Sequence, residues 1–216
     1  MMIALAPITQ TYAVTPGATL NVTTSSGRIA IEAGEPGKII VVASRSADVH
    51  QDGNTVTATA RVSTSCTQAC DVSFQIQVPP DTNVVAHVDS ESVDISDVTG
   101  SVTASAVHGP ILCSGLSGNA TLGTKEGMVN GAFRDVSHVT HMELGTEVGT
   151  VRVVLPPNAA IAEIKAGTAD GEIHSAWPLT VAPKGAGSHG EGHFGTSGPV
   201  VLAGTGKGDV DIVKGP

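Results

Sequence analysis

Three side chains near the C-terminal end have the types and spacing of metal ligands. His189, Glu191 and His193 stand two residues apart within the glycine-rich stretch 185–195. On an extended segment such residues point the same way, and imidazole and carboxylate groups are ligands of zinc and nickel. No fourth ligand is evident, and the flanking glycines equally fit a solvated loop. The sequence therefore assigns no metal or cofactor beyond naming these three candidates.

The cysteines pose a question of redox state. Cys66 and Cys70 flank a short segment between two alternating stretches. A hairpin there would bring the two thiols close enough for a disulfide, as in an exported, oxidised protein. Two reduced thiols near a turn, or half of a metal site, are the alternatives. Cys113 occupies a column of otherwise apolar residues, so we expect it to be buried and unreactive.

A polar row is the third candidate site. Asn130, Arg152 and His174 each stand three residues after a recurring glycine. If successive segments of the chain stack in order, the three side chains form a polar ladder on one face. Such a ladder could bind an anionic sugar or a carboxylate. The alternative is an ordinary solvated sheet face.

A ten-residue repeat sets the positions of Cys113 and of the polar row. Apolar residues stand seven and five residues before an anchor and two after it, and threonine recurs three before it. Apolar residues at spacing two indicate strands with one buried face, and a glycine anchor supplies the positive φ of a sharp corner. The anchors are Gly27, Glu91, Gly109, Gly127, Gly149, Gly171 and Gly208.

The anchor spacing indicates the fold class. From Glu91 to Gly171 the anchors are 18 or 22 residues apart. A period near 20 built from short strands predicts an all-β, mostly parallel β-solenoid (a β-helix or β-roll), with coils of about 18–22 residues stacked in chain order. An antiparallel β-sandwich built from hairpins is the alternative.

The whole chain, 1–216, is predicted to be a single β domain. Strands within it are expected to end at two proline pairs, after Val78 and after Leu155, because proline cannot donate to a sheet ladder. The predicted segments are a first repeat over 18–37, an antiparallel β-meander over 38–80, solenoid coils over 81–177, a glycine-rich loop over 178–198 and a final coil over 199–216.

Composition excludes some classes of function. Hydrophobic residues make up 40% of the chain and aromatic residues 2%, which fits thin stacked coils. A formal net charge of −9 with scattered basic residues argues against nucleic acid and against anionic lipid surfaces. No transmembrane segment is predicted, and the first eight residues have no positive charge and too short an apolar run to be expected to act as a signal peptide. We therefore expect an extracellular or cell-envelope protein if an export signal has been removed, and otherwise a cytoplasmic one.

The corner motifs also carry a family resemblance. The repeated Gly-x-Ile/Val corners preceded by threonine, the strands ending in Pro79-Pro80 and Pro156-Pro157, and the closing stretch from Gly208 to Ile212 resemble the DUF4097 family, often called putative adhesins with β-strand repeats. The resemblance covers nearly the whole chain. It implies a mostly parallel β-helix or β-roll and transfers no catalytic residues.

The sequence contains no motif that names a reaction. We therefore expect a non-enzymatic β-solenoid binding or adhesion module associated with the cell envelope or surface, with a protein or glycan partner. The alternative is a self-associating structural scaffold or filament subunit, because the open ends of a solenoid expose unpaired strand edges.

Overall fold

Strands form the regular structure of this chain. The computed structural model describes residues 7–60 and 71–215, and every regular element within these ranges is a β-strand. The described residues include no helix long and apolar enough to cross a membrane. In chain order the strands are β1 (Ile8–Ala13), β2 (Thr19–Ser26), β3 (Ile29–Ala33), β4 (Lys38–Ala43), β5 (Asp48–Asp52), β6 (Thr55–Ala60), β7 (Phe74–Val78), β8 (Asn83–Ser90), β9 (Val93–Ser96), β10 (Val102–His108), β11 (Ile111–Leu116), β12 (Ala120–Glu126), β13 (Val129–Phe133), β14 (His141–Val148), β15 (Val151–Leu155), β16 (Glu163–Asp170), β17 (Ile173–Ser175), β18 (Thr180–Lys184), β19 (Gly187–His193), β20 (Val200–Lys207) and β21 (Val210–Lys214).

The strands form two sheets with one hydrophobic core cluster. The ten-stranded sheet has the order β1-β4-β7-β3-β9-β11-β13-β15-β21-β17, and the eleven-stranded sheet has the order β18-β19-β16-β20-β14-β12-β10-β8-β2-β6-β5. A coil such as β10 and β11 contributes one strand to each sheet, and neighbouring coils pair in parallel. Antiparallel pairs are confined to the strands near the sheet ends. The predicted mostly parallel β-solenoid is confirmed, and the antiparallel sandwich is wrong.

The predicted apolar columns lie in register inside the coils. Met142 pairs with Ala120 on one side and with Val201 on the other, and all three are buried. Burial of an aliphatic side chain of this size contributes about 1.5–3 kcal/mol. The columns therefore align the coils as well as stabilising them, because a slip of one residue would turn every column towards solvent.

The coils turn at the predicted anchors. The φ angles of Gly127, Gly149 and Gly208 are 148°, 145° and 132°. The corners also stack closely, so that a Cβ on Gly149 would lie 2.0 Å from the carbonyl oxygen of Gly127. Glu91, which replaces glycine in this column, keeps a φ of 93°. A non-glycine residue in such a conformation costs on the order of 1–3 kcal/mol.

The recurring threonine satisfies the carbonyl group of a neighbouring corner. Thr146 Oγ1 donates a hydrogen bond to the Gly127 oxygen at 3.1 Å, and Thr205 Oγ1 donates to the Gly149 oxygen at 2.9 Å. These threonines are buried, where an acceptor without a partner would be costly. The β-branched side chain suits a strand and its hydroxyl serves the corner, which explains the threonine column of the repeat.

The coils do not stack in chain order at the C-terminal end. Val151 pairs with Val129 as predicted, but its other neighbour is Val210. Ile173 also pairs with Val210. The final coil, β20 and β21, is thus inserted between the coil of β14 and β15 and the coil of β16 and β17. The expected stacking in chain order is wrong at this end, because the final coil presents the same apolar columns and fits between the two coils.

The segment 38–80 is not a meander. Its strands β4 and β7 lie in the ten-stranded sheet, whereas β5 and β6 lie in the other. β4–β7 and β5–β6 are antiparallel, but β6 pairs with β2 and β7 with β3 in parallel. The physical reason is that β6 and β7 carry the columns of a coil, so they stack on the first repeat. Val78 and Leu155 end their strands at the proline pairs, as predicted.

The segment 178–198 is not a loop. β18 and β19 form an antiparallel hairpin that extends the eleven-stranded sheet beside β16. Its glycines allow close approach: a Cβ on Gly187 would lie 2.0 Å from the Thr168 oxygen, and one on Gly192 would lie 2.7 Å from the ring of Phe194. Glycine is thus required at position 187 by the close approach of the Thr168 backbone, although glycine is depleted in strands generally.

Candidate functional site

The outer face of the eleven-stranded sheet has a groove with a glycine floor. Four glycines stand side by side on adjacent strands, in the order Gly123, Gly145, Gly204 and Gly167. Because none carries a side chain, the sheet backbone forms the bottom of a depression of about 640 Å³. This volume is in the range of ligand sites in proteins. We call the depression the glycine groove.

The walls of the glycine groove carry polar and charged side chains. Thr121, Glu143, Leu202 and Lys165 stand two residues before the floor glycines, and Lys125 and Glu147 stand two residues after. The walls therefore hold two lysines and two glutamates, whose formal charges cancel. Along the row, Ser105 pairs with Gly123 at one end and His189 pairs with Gly167 at the other. The row from β10 to β19 spans five strand spacings, roughly 24 Å at about 4.8 Å each.

The fold does not require glycine on this floor. A Cβ on Gly145 would lie 3.7 Å from its nearest heavy atom outside the adjacent residues, and a Cβ on Gly167 would meet nothing within 4 Å. Neither residue has the positive φ of the corner glycines. Glycine inside a strand costs about 0.5–1 kcal/mol relative to alanine. The floor glycines are thus a stability cost without a packing reason, and glycine in a strand often marks a place where a ligand approaches the backbone.

Sequence reasoning missed the glycine groove although its signal is present. The floor glycines stand four residues before the anchors at 127, 149, 171 and 208. The repeat was resolved into buried columns and one outward column after the corner. A scan of the outward column before the corner would have found four glycines where strands favour larger residues.

A serine, a histidine and an aspartate meet beside one end of the glycine groove. His87 Nδ1 lies 2.7 Å from Ser105 Oγ, and His87 Nε2 lies 3.2 Å from Asp89 Oδ1. These are the residue types of a hydrolase triad, but the His87 and Asp89 side chains are about half exposed on an open sheet face. Ser105 lies within paired strands on both sides, where backbone N–H groups serve the ladder. Catalysis of acyl transfer also needs free donors for the oxyanion, and this stretch of described strand offers none.

The predicted polar ladder lies on the opposite outer face and is interrupted. Asn130 and Arg152 are neighbours in register on β13 and β15. His174 is not the next rung, because Asp211 of the inserted final coil pairs with both Arg152 and His174. The structure thus brings together Asn130 and Arg152 but separates His174 from them by a carboxylate. The acidic rung makes the row a poor site for the predicted anionic ligand.

The other predicted sites have different outcomes. Glu191 and His193 lie in contact on β19 with their side-chain atoms 3.0 Å apart, whereas His189 lies opposite Gly167 and outside that cluster. Cys66 and Cys70 lie outside the described residues, so their disulfide stays a prediction. Cys113 is buried as predicted, and desolvation, followed by the charge of Asp94, raises the pKa of its thiol.

The fold and the groove define the class of protein: a two-sheet, mostly parallel β-solenoid with an open depression on one outer face. No protein-family model matches the chain, and no curated protein matches it either. Among solved structures, it is similar to a putative cell adhesion protein from Clostridium sporogenes, with 13% identity, 97% of this chain and 100% of the other covered, and a TM-score of 0.48. It is also similar to a putative adhesin from Bacteroides fragilis, with 14% identity, coverage of 95% and 96%, and a TM-score of 0.47. These similarities are too distant to assign a function.

Proposed function

We propose that this chain is a non-enzymatic binding module that holds an extended neutral glycan in the glycine groove. The observation that carries the proposal is the floor of four outward-facing glycines that the fold itself does not require. A side chain at any of these positions would fill the groove. Natural strands favour larger residues, so keeping glycine there preserves access to the backbone surface at some loss of stability.

The walls favour a neutral, hydroxyl-rich ligand. Hydroxyl groups donate to carboxylates such as Glu143 and Glu147 and accept from ammonium groups such as Lys125 and Lys165, all of which line the groove. Because the wall charges cancel, a strongly charged polymer would meet as much repulsion as attraction. A peptide strand has no free ladder to join, since the floor strands pair on both sides. An extended neutral glycan fits the length, the shape and the charge of the groove.

A glycan array with two matched variants tests the proposal. We expect the wild-type chain to retain linear neutral glycans and the Gly145→Thr variant to lose them, because threonine fills the floor. The Arg152→Ala variant, on the opposite outer face, should bind as the wild type does. If Arg152→Ala lost glycan binding and Gly145→Thr kept it, the glycan site would lie on the ten-stranded sheet and not in the glycine groove. A wild-type chain that retains only charged glycans or peptides would contradict the ligand class.

The alternative role as a self-associating scaffold requires open strand edges. In the eleven-stranded sheet the edge strand β5 carries Asp48, His50 and Asp52, and the edge strand β18 contains Pro183. The ten-stranded sheet ends in β17, which has three residues, and in β1, which has neither a charge nor a proline. Charges and proline at an edge discourage pairing with another chain. We therefore favour a monomeric module, for which sedimentation velocity should give one species of about 22 kDa at all concentrations. Growth of the sedimenting species with concentration would favour the scaffold.

An adhesion role also requires a surface location. The corner motifs that resemble the DUF4097 family support this part of the proposal, and we place the module at the cell envelope or surface. Fractionation of the source cells tests it: the chain should be found with the envelope or outside the cell. Recovery in the cytoplasmic fraction alone would exclude adhesion while leaving glycan binding in the groove open to the array test.

A further inference from the structure

Two carboxylates and an imidazole meet at the hairpin end of the eleven-stranded sheet. β16 and β19 are antiparallel neighbours, so Glu163 lies opposite His193 and Lys165 lies opposite Glu191. Glu163 Oε1 is 3.3 Å from His193 Nδ1, and Glu191 Oε1 is 3.0 Å from His193 Nε2. One ligand atom from each of Glu163, Glu191 and His193 lies within 4.8 Å of the other two. The His193 ring thus lies between the two carboxylates, with one nitrogen facing each of them.

The same cluster already attracts a cation. The ammonium nitrogen of Lys165 lies 3.0 Å from Glu163 Oε1 and 4.0 Å from Glu191 Oε1. Glu163 is also the least exposed of the group, with 17% of its side chain accessible. The two carboxylates are thus oriented around a position where positive charge is favourable, and the Lys165 side chain is long enough to leave it.

We propose that Glu163, Glu191 and His193 form a binding site for a zinc-class divalent cation. Zinc takes imidazole nitrogen and carboxylate oxygen at about 2.0–2.2 Å in a tetrahedron, which separates ligand atoms by about 3.4 Å. The contacts of 3.0 and 3.3 Å use different nitrogens of the His193 ring, whereas one ligand atom from each of the three residues already lies within 4.8 Å of the other two. Either nitrogen of the exposed His193 ring can be the ligand after a small rotation. The imidazole favours zinc over calcium or magnesium, which prefer oxygen ligands alone.

The charges balance when the cation binds. Two carboxylates and a neutral imidazole carry a charge of −2, which one divalent cation neutralises, and Lys165 then has no partner at that point. Lys165 is therefore a competitor of the metal. His189, which the sequence placed in the ligand set, lies opposite Gly167 and is not a member of the cluster. The fourth coordination position faces solvent and takes water.

Calorimetric titration with zinc chloride tests the site. The full chain is used in a Cys66→Ser/Cys70→Ser background, because thiols outside the described residues also bind zinc. We expect about one zinc per chain. Glu163→Gln and His193→Gln should each weaken binding at least about tenfold, since each removes a ligand. Lys165→Met should tighten binding several-fold, because it removes the competing ammonium group.

His189→Gln is the matched control, since it removes a histidine of the same strand that the geometry leaves out. Its zinc affinity should equal that of the parent chain. Absence of binding in the parent, equal losses for His189→Gln and His193→Gln, or weaker binding by Lys165→Met would each overturn the site. Lys165 also lines the glycine groove, so the two proposals are separated with Glu163→Gln and His193→Gln, whose residues lie outside the groove lining and should leave glycan binding unchanged. Either can fail while the other holds.

Discussion

The corner glycines allow a quantitative test of the coil stack through the substitution Gly149→Ala. The φ of Gly149 is 145°, which an alanine reaches only at a cost on the order of 1–3 kcal/mol. The new Cβ would also lie 2.0 Å from the Gly127 carbonyl oxygen, far inside van der Waals contact. Separating two close-packed coils to relieve such a contact costs typically about 1–3 kcal/mol more.

The sum is a loss of roughly 2–6 kcal/mol in the free energy of unfolding. For a chain of this size, about 1 kcal/mol shifts the melting temperature by roughly 2–4 °C, so the expected fall is on the order of 5–20 °C. Urea titration and differential scanning calorimetry measure the two quantities. Gly167→Ala is the control, because its Cβ would meet nothing within 4 Å. It should leave stability unchanged or raise it by about 0.5–1 kcal/mol.

A melting temperature of Gly149→Ala equal to that of the wild type would refute the close stacking of the corners. Equal losses for Gly149→Ala and Gly167→Ala would refute the distinction between the two glycine columns. That distinction supports the functional argument as well as the fold, since only glycines that the fold does not require point to a ligand.

Two further predictions concern buried side chains. Thr146→Val keeps the shape of the side chain but removes the hydroxyl that donates to Gly127. Chemical denaturation should therefore show a free energy of unfolding lower by about 1 kcal/mol. An unchanged free energy of unfolding would show that this hydroxyl does not stabilise the corner. In a Cys66→Ser/Cys70→Ser background, Cys113 should react with a thiol reagent only after unfolding, because burial keeps its thiol protonated. Rapid labelling of Cys113 in the native chain would contradict its place in the core.

The coil and its corners were predictable because each depends on local pattern. Alternation at spacing two identified the buried columns, and glycine at the anchor identified the positive φ. Glu91 was also predicted correctly as a corner, since the apolar residues before and after it stand at the spacings of the repeat. Local pattern cannot order the coils, however. Val201 stacks against both Met142 and Ile164. No residue type in the sequence therefore indicates that the final coil is inserted between the coils of those two residues.

The candidate site was less predictable than the fold. Glycine has no side chain to signal its environment, so the glycines of β19 were interpreted as a loop although the nearby Thr168 backbone requires glycine at position 187. The zinc-class cluster needed Glu163, which is distant in sequence from His193 and meets it only through the antiparallel pairing of β16 with β19. Contacts between strands that are far apart in the chain are set by tertiary structure, and sequence spacing does not contain them.

The most direct test of the glycine groove is the amide spectrum of the isotope-labelled chain during titration with a glycan that it binds. Glycine amides are resolved from other residues in such spectra, so the floor can be followed position by position. The largest shift changes should occur at the four floor glycines and at their wall neighbours Glu143 and Lys165. Shift changes centred on Asn130 and Arg152, with the floor glycines unmoved, would contradict a glycan site in the glycine groove.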